Sequence, residues 1–229
     1  MKKLTSFLSL LFLTISLFGQ ALPKDCYPLS DNVEFIDEQH SEWFVLGFDA
    51  DTRCPLWAAY KMTDEMAEAS LSPVIKRPSN FTVDKHVGSA NTKDYTNSGY
   101  SRGHMVPFDH FDWNATAGKQ TFIMSNICPQ LQTMNNGNWK KIESQMIGFA
   151  KKYGIVYRVC GPIFDEPDKI ETLNNKGIVG IPLGFYNVYY LDGFYEACIV
   201  WQDNTIEYFI SIDDIFDLTG ILLPEQIVE

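Results

Sequence analysis

The spacing of apolar residues along the chain predicts a mixture of strands and helices. Two aromatic-rich runs, WFVLGFD and PLWAAYKMT, flank the polar turn DADTRC and predict a β-hairpin. The segment MTDEMAEAS fits one helical turn or a loop, and TFIMSN is strand-like. The last third contains the strand-like runs VYRVCGPIF, GIVGIPLGFYNVYYL, FYEACIVW and IEYFISI, followed by a short helical segment, DDIFDLTG.

One longer helix is predicted over residues 136–153. Its apolar residues recur at intervals of three and four, which is the period of one buried helix face. They are Trp139, Ile142, Met146, Phe149 and Ala150. Gly154 follows at the position where helices commonly end. Strands that dominate the chain around one such helix predict an α+β fold built on an antiparallel sheet.

Residues 72–101 separate these elements without a clear apolar period. They are rich in Pro, Asn, Ser, Gly and Thr, and a loop of this length in a compact domain is usually functional. The chain contains no internal repeat and no long linker. We therefore expect a single domain over residues 21–229.

The amino terminus has the pattern of a targeting segment. Lys2 and Lys3 precede an apolar run that ends near Gly19, so residues 1–20 are interpreted as a signal peptide. The alternative, a buried or membrane-spanning helix, is less favoured because the run is shorter than the ~20 residues that a span requires. On this interpretation the protein is exported, either secreted or periplasmic, and has no membrane association after cleavage.

Export would allow disulfides among the five cysteines. Cys26 and Cys54 lie in polar, turn-like surroundings and form the favoured pair. Cys160 and Cys198 lie within strand-like runs, where a small buried apolar side chain is the simpler interpretation.

Candidate catalytic chemistry is concentrated in residues 94–143. His104 can act as a general base, Arg102 can neutralise phosphate charge, and Glu143 can hold a metal-bound water. His110, with Asp109 and Asp112, could form a second metal cluster, but its loose spacing favours a solvated loop.

Three ordered strings in this region carry a resemblance. GYSRGHMVP, TFIMSNICPQ and MNNGNWKKIE resemble the signature of the DNA/RNA non-specific endonucleases, the ββα-metal nucleases. The similarity continues outside them in PLWAAY, RPSNFTVD, VCGPIF and DLTGILL. The resemblance implies a single domain with a ββα-metal catalytic motif in the α+β fold.

The resemblance also implies roles for individual residues. His104 matches the general base, Asn135 the one side chain that ligates Mg²⁺ directly, and Glu143 the acid that acts on the metal through water. A separation of eight residues is a rise of about 12 Å along a helix, too far for Asn135 and Glu143 to bind one metal directly. Arg102 matches a catalytic arginine that contacts phosphate.

Three further positions match supporting groups of the family. Arg77 matches a second substrate-binding arginine, and Asn126 and Gln130 match amides that support catalysis and substrate binding. For the two amides, ordinary loop capping is an equally good interpretation. Ser101 stands where the family usually has Asp, so a hydroxyl replaces a carboxylate beside Arg102.

The implied activity is Mg²⁺-dependent hydrolysis of DNA and RNA that leaves 5′-phosphate ends, with Mn²⁺ as a substitute metal. Two alternatives remain: a non-catalytic relative that only binds nucleic acid, and a metal-dependent phosphodiesterase for small substrates. The sequence leaves open whether the chain forms a homodimer and whether an inhibitor protein exists.

The net charge of the whole chain argues against a nucleic-acid substrate, but the distribution of charge along the chain does not. The whole chain has a net charge of −11. Residues 75–143, however, hold eight Lys and Arg against five Asp and Glu, a net charge of +3. The acidic residues therefore lie outside the catalytic segment, and we expect weak long-range attraction to DNA around a locally basic site.

Overall fold

A computed structural model describes residues 27–29, 34–36 and 41–225, without the side chains at 34–36 and 175. The segment interpreted as a signal peptide and Cys26 lie outside these residues. Within the described part, no helix has the length and apolar character needed to cross a membrane.

The central element is a seven-stranded sheet in which every neighbouring pair is antiparallel. Its strands, in spatial order, are β1 (Glu34–Ile36), β2 (Val45–Asp49), β3 (Cys54–Thr63), β6 (Ile155–Ile163), β7 (Gly184–Leu191), β8 (Phe194–Trp201) and β9 (Ile206–Tyr208). The remaining strands, β4 (Ser101–His104) and β5 (Ile127–Gln130), form a separate antiparallel pair. This arrangement confirms the predicted α+β fold.

The β2–β3 hairpin is stabilised by its own turn. The Asp49 carboxylate accepts hydrogen bonds from the backbone N–H groups of Asp51 at 3.2 Å and Thr52 at 2.9 Å. An acidic side chain that bonds to the backbone two and three residues later favours a turn over continued strand. The predicted hairpin is therefore present.

Helices lie on both faces of the central sheet. They are α1 (Asp64–Ala69), α2 (Ala115–Gln120), α3 (Gln132–Met134), a π-helical segment (Asn135–Trp139), α4 (Lys140–Tyr153) and α5 (Ile212–Thr219). The α4 helix covers one face with Ile142, Met146 and Ala150 buried, and it ends at Gly154, whose φ of 85° suits glycine. The α5 helix buries Ile212 and Ile215 in a second core on the opposite face.

A ββα unit is formed by β4, β5 and the helical segments from α3 to α4. Its two strands pair Ser101 with Gln130 and His104 with Ile127. The helix begins at Gln132, earlier than the residue 136 predicted from its apolar period, because Gln132 and Thr133 are polar and exposed and Met134 alone establishes no apolar period.

The strand-like segment TFIMSN differs from its prediction. Only Ile123 makes an isolated bridge, with Thr82, and Met124–Asn126 form a 3₁₀ turn before β5 begins at Ile127. The turn is stabilised because the Asn126 side chain bonds to the backbone instead of leaving that backbone free for a ladder.

The four described cysteines are all buried and unpaired: Cys54, Cys128, Cys160 and Cys198. The interpretation of Cys160 and Cys198 as small buried side chains is therefore confirmed. The predicted partner of Cys54, Cys26, lies outside the described residues, and Cys54 is a free thiol.

Candidate active site

The ββα unit opens into a cleft of about 650 Å³. Five predicted site residues line it together: Arg77, Arg102, His104, Asn135 and Glu143. Lys140 adds a third basic residue. The long loop over residues 72–101 forms much of the wall, as its length suggested.

His104 ends β4 and is 7% exposed at the base of the cleft. Its imidazole packs against Phe122, with ring centroids 4.9 Å apart, and against Phe81 at 5.4 Å. Burial, with smaller effects of Arg77 and Arg102, lowers the pKa of His104 to about 3. The imidazole is therefore neutral near pH 7, and its Nε2 has no hydrogen-bond partner among the described residues.

The two arginines rest on the same aromatic cluster. The guanidinium of Arg102 lies 4.8 Å from the ring centre of Phe81. Arg77 lies 5.2 Å from that of Phe122, and it also pairs with the Asp109 carboxylate at 3.5 Å. Stacking on aromatic faces restrains exposed guanidinium groups while leaving their N–H donors available to an anion.

Asn135 is half-buried at the start of the π-helical segment. Two residues later Gly137 has non-helical dihedral angles, and a Cβ atom there would collide with the Asn204 side chain. Asn204 Oδ1 accepts a hydrogen bond from the Asn138 backbone N–H at 2.8 Å, and the Asn138 side chain donates to the Asn204 carbonyl at 2.7 Å. The β8–β9 turn thereby fixes the irregular helix start that carries Asn135.

Glu143 lies in the first turn of α4, two helical turns beyond Asn135, and is half-buried. Burial raises the pKa of Glu143 to about 7, although Arg158 opposes this shift. The carbonyl of Glu143 is held by His110 Nε2 at 2.9 Å.

The two predicted supporting amides lie outside the cleft and are fully buried. Asn126 Oδ1 accepts from the Val106 N–H at 2.9 Å, while Asn126 Nδ2 donates to the carbonyls of Val106 and Thr121. Gln130 fills the space beside Gly103, where any Cβ atom would collide with it. Direct contact of either amide with a substrate does not fit this burial; both instead support the strand that carries His104.

Ser101, the hydroxyl at the family's usual Asp position, donates to Gln132 Oε1 at 2.6 Å. This bond joins the start of β4 to the first turn of the helix that presents Asn135. At the rim of the cleft, β4 and the helix are therefore joined by a hydrogen bond between two uncharged side chains.

A family model described as DNA/RNA non-specific endonuclease matches residues 28–226. The chain belongs to this family.

Similar proteins include the human protein named "Endonuclease G, mitochondrial", which is 29% identical over 202 residues. "Nuclease 1, mitochondrial" of Schizosaccharomyces pombe is 28% identical over 210 residues. These alignments cover 82% and 84% of this chain but 65% and 63% of the relatives, so the chain spans less than two thirds of their length.

A solved structure titled "Crystal structure of the EndoG/EndoGI complex: Mechanism of EndoG inhibition" has the same fold. Its TM-score is 0.68 at 24% identity, over 88% of this chain and 89% of the matched chain.

The comparisons contradict the prediction of export. The similar proteins from human and Schizosaccharomyces pombe are both named as mitochondrial, so membership of this family points away from a secreted or periplasmic protein. The prediction rested on a basic start and an apolar run alone.

Two buried residues of the site were missed or misinterpreted from the sequence. His110 is 1% exposed, so the solvated-loop interpretation of this residue was wrong. Arg158 is fully buried in β6 beneath the site. Its only sequence signal was a charged residue inside the apolar run IVYRVCGPI, which is unusual for a strand core.

Proposed function

We propose that this member of the family is an endonuclease that hydrolyses the phosphodiester bonds of DNA and RNA. The observation that carries the proposal is a neutral, buried imidazole in one cleft with two arginines, an amide and a carboxylate. The products would carry 5′-phosphate and 3′-hydroxyl ends.

His104 is the proposed general base. Because burial lowers the pKa of His104 to about 3, its imidazole is unprotonated across the neutral pH range, which is the form that a general base requires. Phe81 and Phe122 restrict the ring on two sides, which limits the directions from which water can be activated. The rate gain from such orientation needs no movement of the base.

Arg102 and Arg77 are the proposed phosphate contacts. Both are exposed at the cleft while their planar groups lie against aromatic rings, so their forked N–H donors can meet phosphoryl oxygens. Arg102 is the proposed catalytic arginine, since it lies only two residues from His104 on the same face of β4. Recognition through phosphate predicts weak sequence preference on both DNA and RNA.

Asn135 and Glu143 are the proposed divalent-metal residues, with Mg²⁺ as the metal and Mn²⁺ able to replace it. An amide oxygen and a carboxylate are hard oxygen ligands that suit Mg²⁺. Asn135 would bind directly and Glu143 through water, which agrees with their two-turn separation. With one amide as its direct protein ligand, the ion would keep most of its water shell, as Mg²⁺ prefers. When bound, the cation would stabilise charge on the phosphodiester and the leaving oxygen.

Asn126 and Gln130 have supporting roles in this proposal. By bonding to both backbone groups of Val106, Asn126 fixes the chain immediately after His104. The Gln130 side chain packs against Gly103 of the neighbouring strand, so that this position of β4 has no room for a Cβ atom. Neither would touch the substrate.

The test is incubation of the purified protein with supercoiled plasmid and with RNA, in Mg²⁺ or in EDTA. We expect both polymers to be cut in Mg²⁺ only. An Asn135→Ala variant should need far more Mg²⁺, whereas Gln145→Ala, which removes an exposed amide of α4 outside the cleft, should behave like the wild type.

Three results would contradict the proposal, and the first two would favour one of the alternatives. Binding of intact plasmid without cleavage would indicate a non-catalytic relative. Hydrolysis of a small phosphodiester such as bis(p-nitrophenyl) phosphate, with intact plasmid and RNA, would indicate a small-substrate phosphodiesterase. Cleavage that persists in EDTA would contradict the metal-dependent mechanism.

A further inference from the structure

Arg158 is a fully buried cation at the centre of β6. Among the residues that the structure describes, no carboxylate forms an ion pair with it. Burial of a guanidinium without a counter-charge is costly, and apolar residues often replace such groups without loss of stability. Ion pairing therefore does not explain the arginine at this position.

The hydrogen bonds of Arg158 lead to the strand end that carries His104. Its Nε donates to Asn187 Oδ1 at 2.6 Å, which orients the guanidinium plane. Its Nη1 donates to the carbonyl of Met105 at 3.4 Å, and Met105 directly follows His104. The same carbonyl accepts from the Cys160 thiol at 3.4 Å.

A second path runs from Arg158 to Glu143. Arg158 Nη1 donates to the Tyr60 hydroxyl at 2.9 Å. The Tyr60 oxygen lies 3.0 Å from His110 Nδ1, and His110 Nε2 lies 2.9 Å from the carbonyl of Glu143. Since the carbonyl can only accept, His110 donates through Nε2 and accepts from Tyr60 through Nδ1. All donors in this chain therefore point in one direction, from Arg158 towards α4.

A third contact joins the same two parts of the site. The guanidinium of Arg158 lies 5.0 Å from the ring centre of Trp139, one helical turn before Glu143. The indole Nε1 of Trp139 donates to the carbonyl of His104 at 3.4 Å. Arg158 thus lies against Trp139, whose side chain bonds directly to the His104 backbone.

We propose that Arg158 is a positioning residue for the catalytic centre: it holds the strand end at His104 in a fixed relation to the helix at Glu143. The inference rests on the proposed function, because it concerns the base and the metal-associated acid of that reaction. Arg158 does not line the cleft and does not touch the substrate.

The decisive variant is Arg158→Met, which keeps an apolar stem of similar length. We expect a folded protein whose kcat for plasmid cleavage falls about 10- to 100-fold, the usual effect of removing a group that orients a ligand or base. The KM for DNA should change less than about twofold, since Arg77 and Arg102 remain in place.

The matched control is Val159→Ala, one residue further along β6 in the core on the other face. This variant should lower the unfolding temperature and leave kcat unchanged. A purely structural role of Arg158 predicts the same pattern as this control: loss of thermal stability in Arg158→Met with an unaltered kcat.

Tyr60→Phe decides the matter if Arg158→Met does not fold. It removes one hydroxyl from the chain to Glu143 and keeps the buried charge, so kcat should fall roughly 3- to 10-fold with little change in KM. Arg158→Lys should lie between the wild type and Arg158→Met, because an ammonium cannot replace the guanidinium fork.

Each result separates the two proposals. Wild-type kcat in folded Arg158→Met, or in Tyr60→Phe where Arg158→Met does not fold, overturns the positioning role and leaves the nuclease proposal intact. A wild-type protein that cuts no nucleic acid overturns the proposed function and the positioning role with it.

Discussion

The two faces of the central sheet are built from the same strands but have different chemistry. On β6 and β7, the face under α4 buries Arg158 and Asn187, which bond to each other. The neighbouring residues on the opposite face, Val159 and Val188, pack with Ile215 of α5 in the second core. Because side chains alternate along a strand, one residue step separates a polar support for the site from an apolar core.

This difference shows that the destabilisation caused by buried polar groups is tolerated on the face that supports the site. Unpartnered buried polar atoms on the site-facing side include His104 Nε2 and one nitrogen each of Arg158 and Asn187. Such atoms are destabilising, and they cluster where function requires defined charges in a dry environment. Among the described residues, the second core is formed by aliphatic and aromatic side chains, which contribute mainly through apolar burial.

The largest expected effect comes from the site-facing side. His104→Ala should lower kcat for plasmid cleavage by about 10³-fold, because it removes the proposed base. DNA binding and the folded structure should persist, as measured by gel shift and circular dichroism. His86→Ala, an exposed histidine outside the cleft, is the control and should retain full activity. Appreciable cleavage by His104→Ala would refute the role of the base.

A pair of core variants compares the two faces directly. Ile215→Ala and Ile142→Ala each remove a buried isoleucine and should lower the unfolding free energy by about 2–5 kcal/mol, measured by urea denaturation. Only Ile142→Ala, beside Glu143, should also lower kcat, by roughly tenfold. Equal effects on kcat would show that the faces do not differ in function.

The unfolding free energy should depend on pH in the acid range because of the two buried histidines. Burial lowers the pKa of both His104 and His110 to about 3, below the ordinary value of 6.5. The unfolded chain therefore binds more protons between these values. The stabilisation is complete above pH 6.5 and is lost as the pH falls towards 3, by up to about 1.4 kcal/mol per pH unit for each histidine.

Glu143 acts in the opposite direction, because its raised pKa, about 7, favours the protonated form in the folded state. Its contribution is present below pH 4.5 and is lost as the pH rises through 7. We expect the unfolding free energy, measured by urea denaturation, to rise with pH between pH 4 and 7. Compared with the wild type, this rise should be shallower for His110→Gln and steeper for Glu143→Gln. Parallel curves for all three proteins would contradict these assignments.

The smallest expected effect concerns the aromatic cluster. Phe122→Leu keeps apolar volume but removes the ring beneath Arg77 and beside His104. Loss of a partly exposed cation–π contact should raise KM for DNA about two- to fivefold. Phe149→Leu, whose ring lies against Tyr153 and Tyr189 and outside the cleft, should leave KM unchanged.

Much of the site was predictable because it lies in one continuous segment. Within residues 104–143, the β4–β5 pair and the helix that follows it bring His104 and Glu143 into one cleft. The start of the helix was not predictable, since the π-helical segment depends on Asn204 of a different turn. The burial of Asn126 and Gln130 also depends on packing that short motifs do not encode.

The sequence by itself determined the α+β class, the main hairpin and the helix α4, because periodicity and local turn motifs specify such features directly, and its motifs named the candidate site residues. Only the tertiary structure decided which polar residues face the cleft and which support it from below. Arg158 lies 54 positions after His104 in the chain, and its partners Tyr60 and Asn187 lie on two further strands. Antiparallel pairing of β3, β6 and β7 brings them together, and that register depends on long-range contacts that no single segment contains.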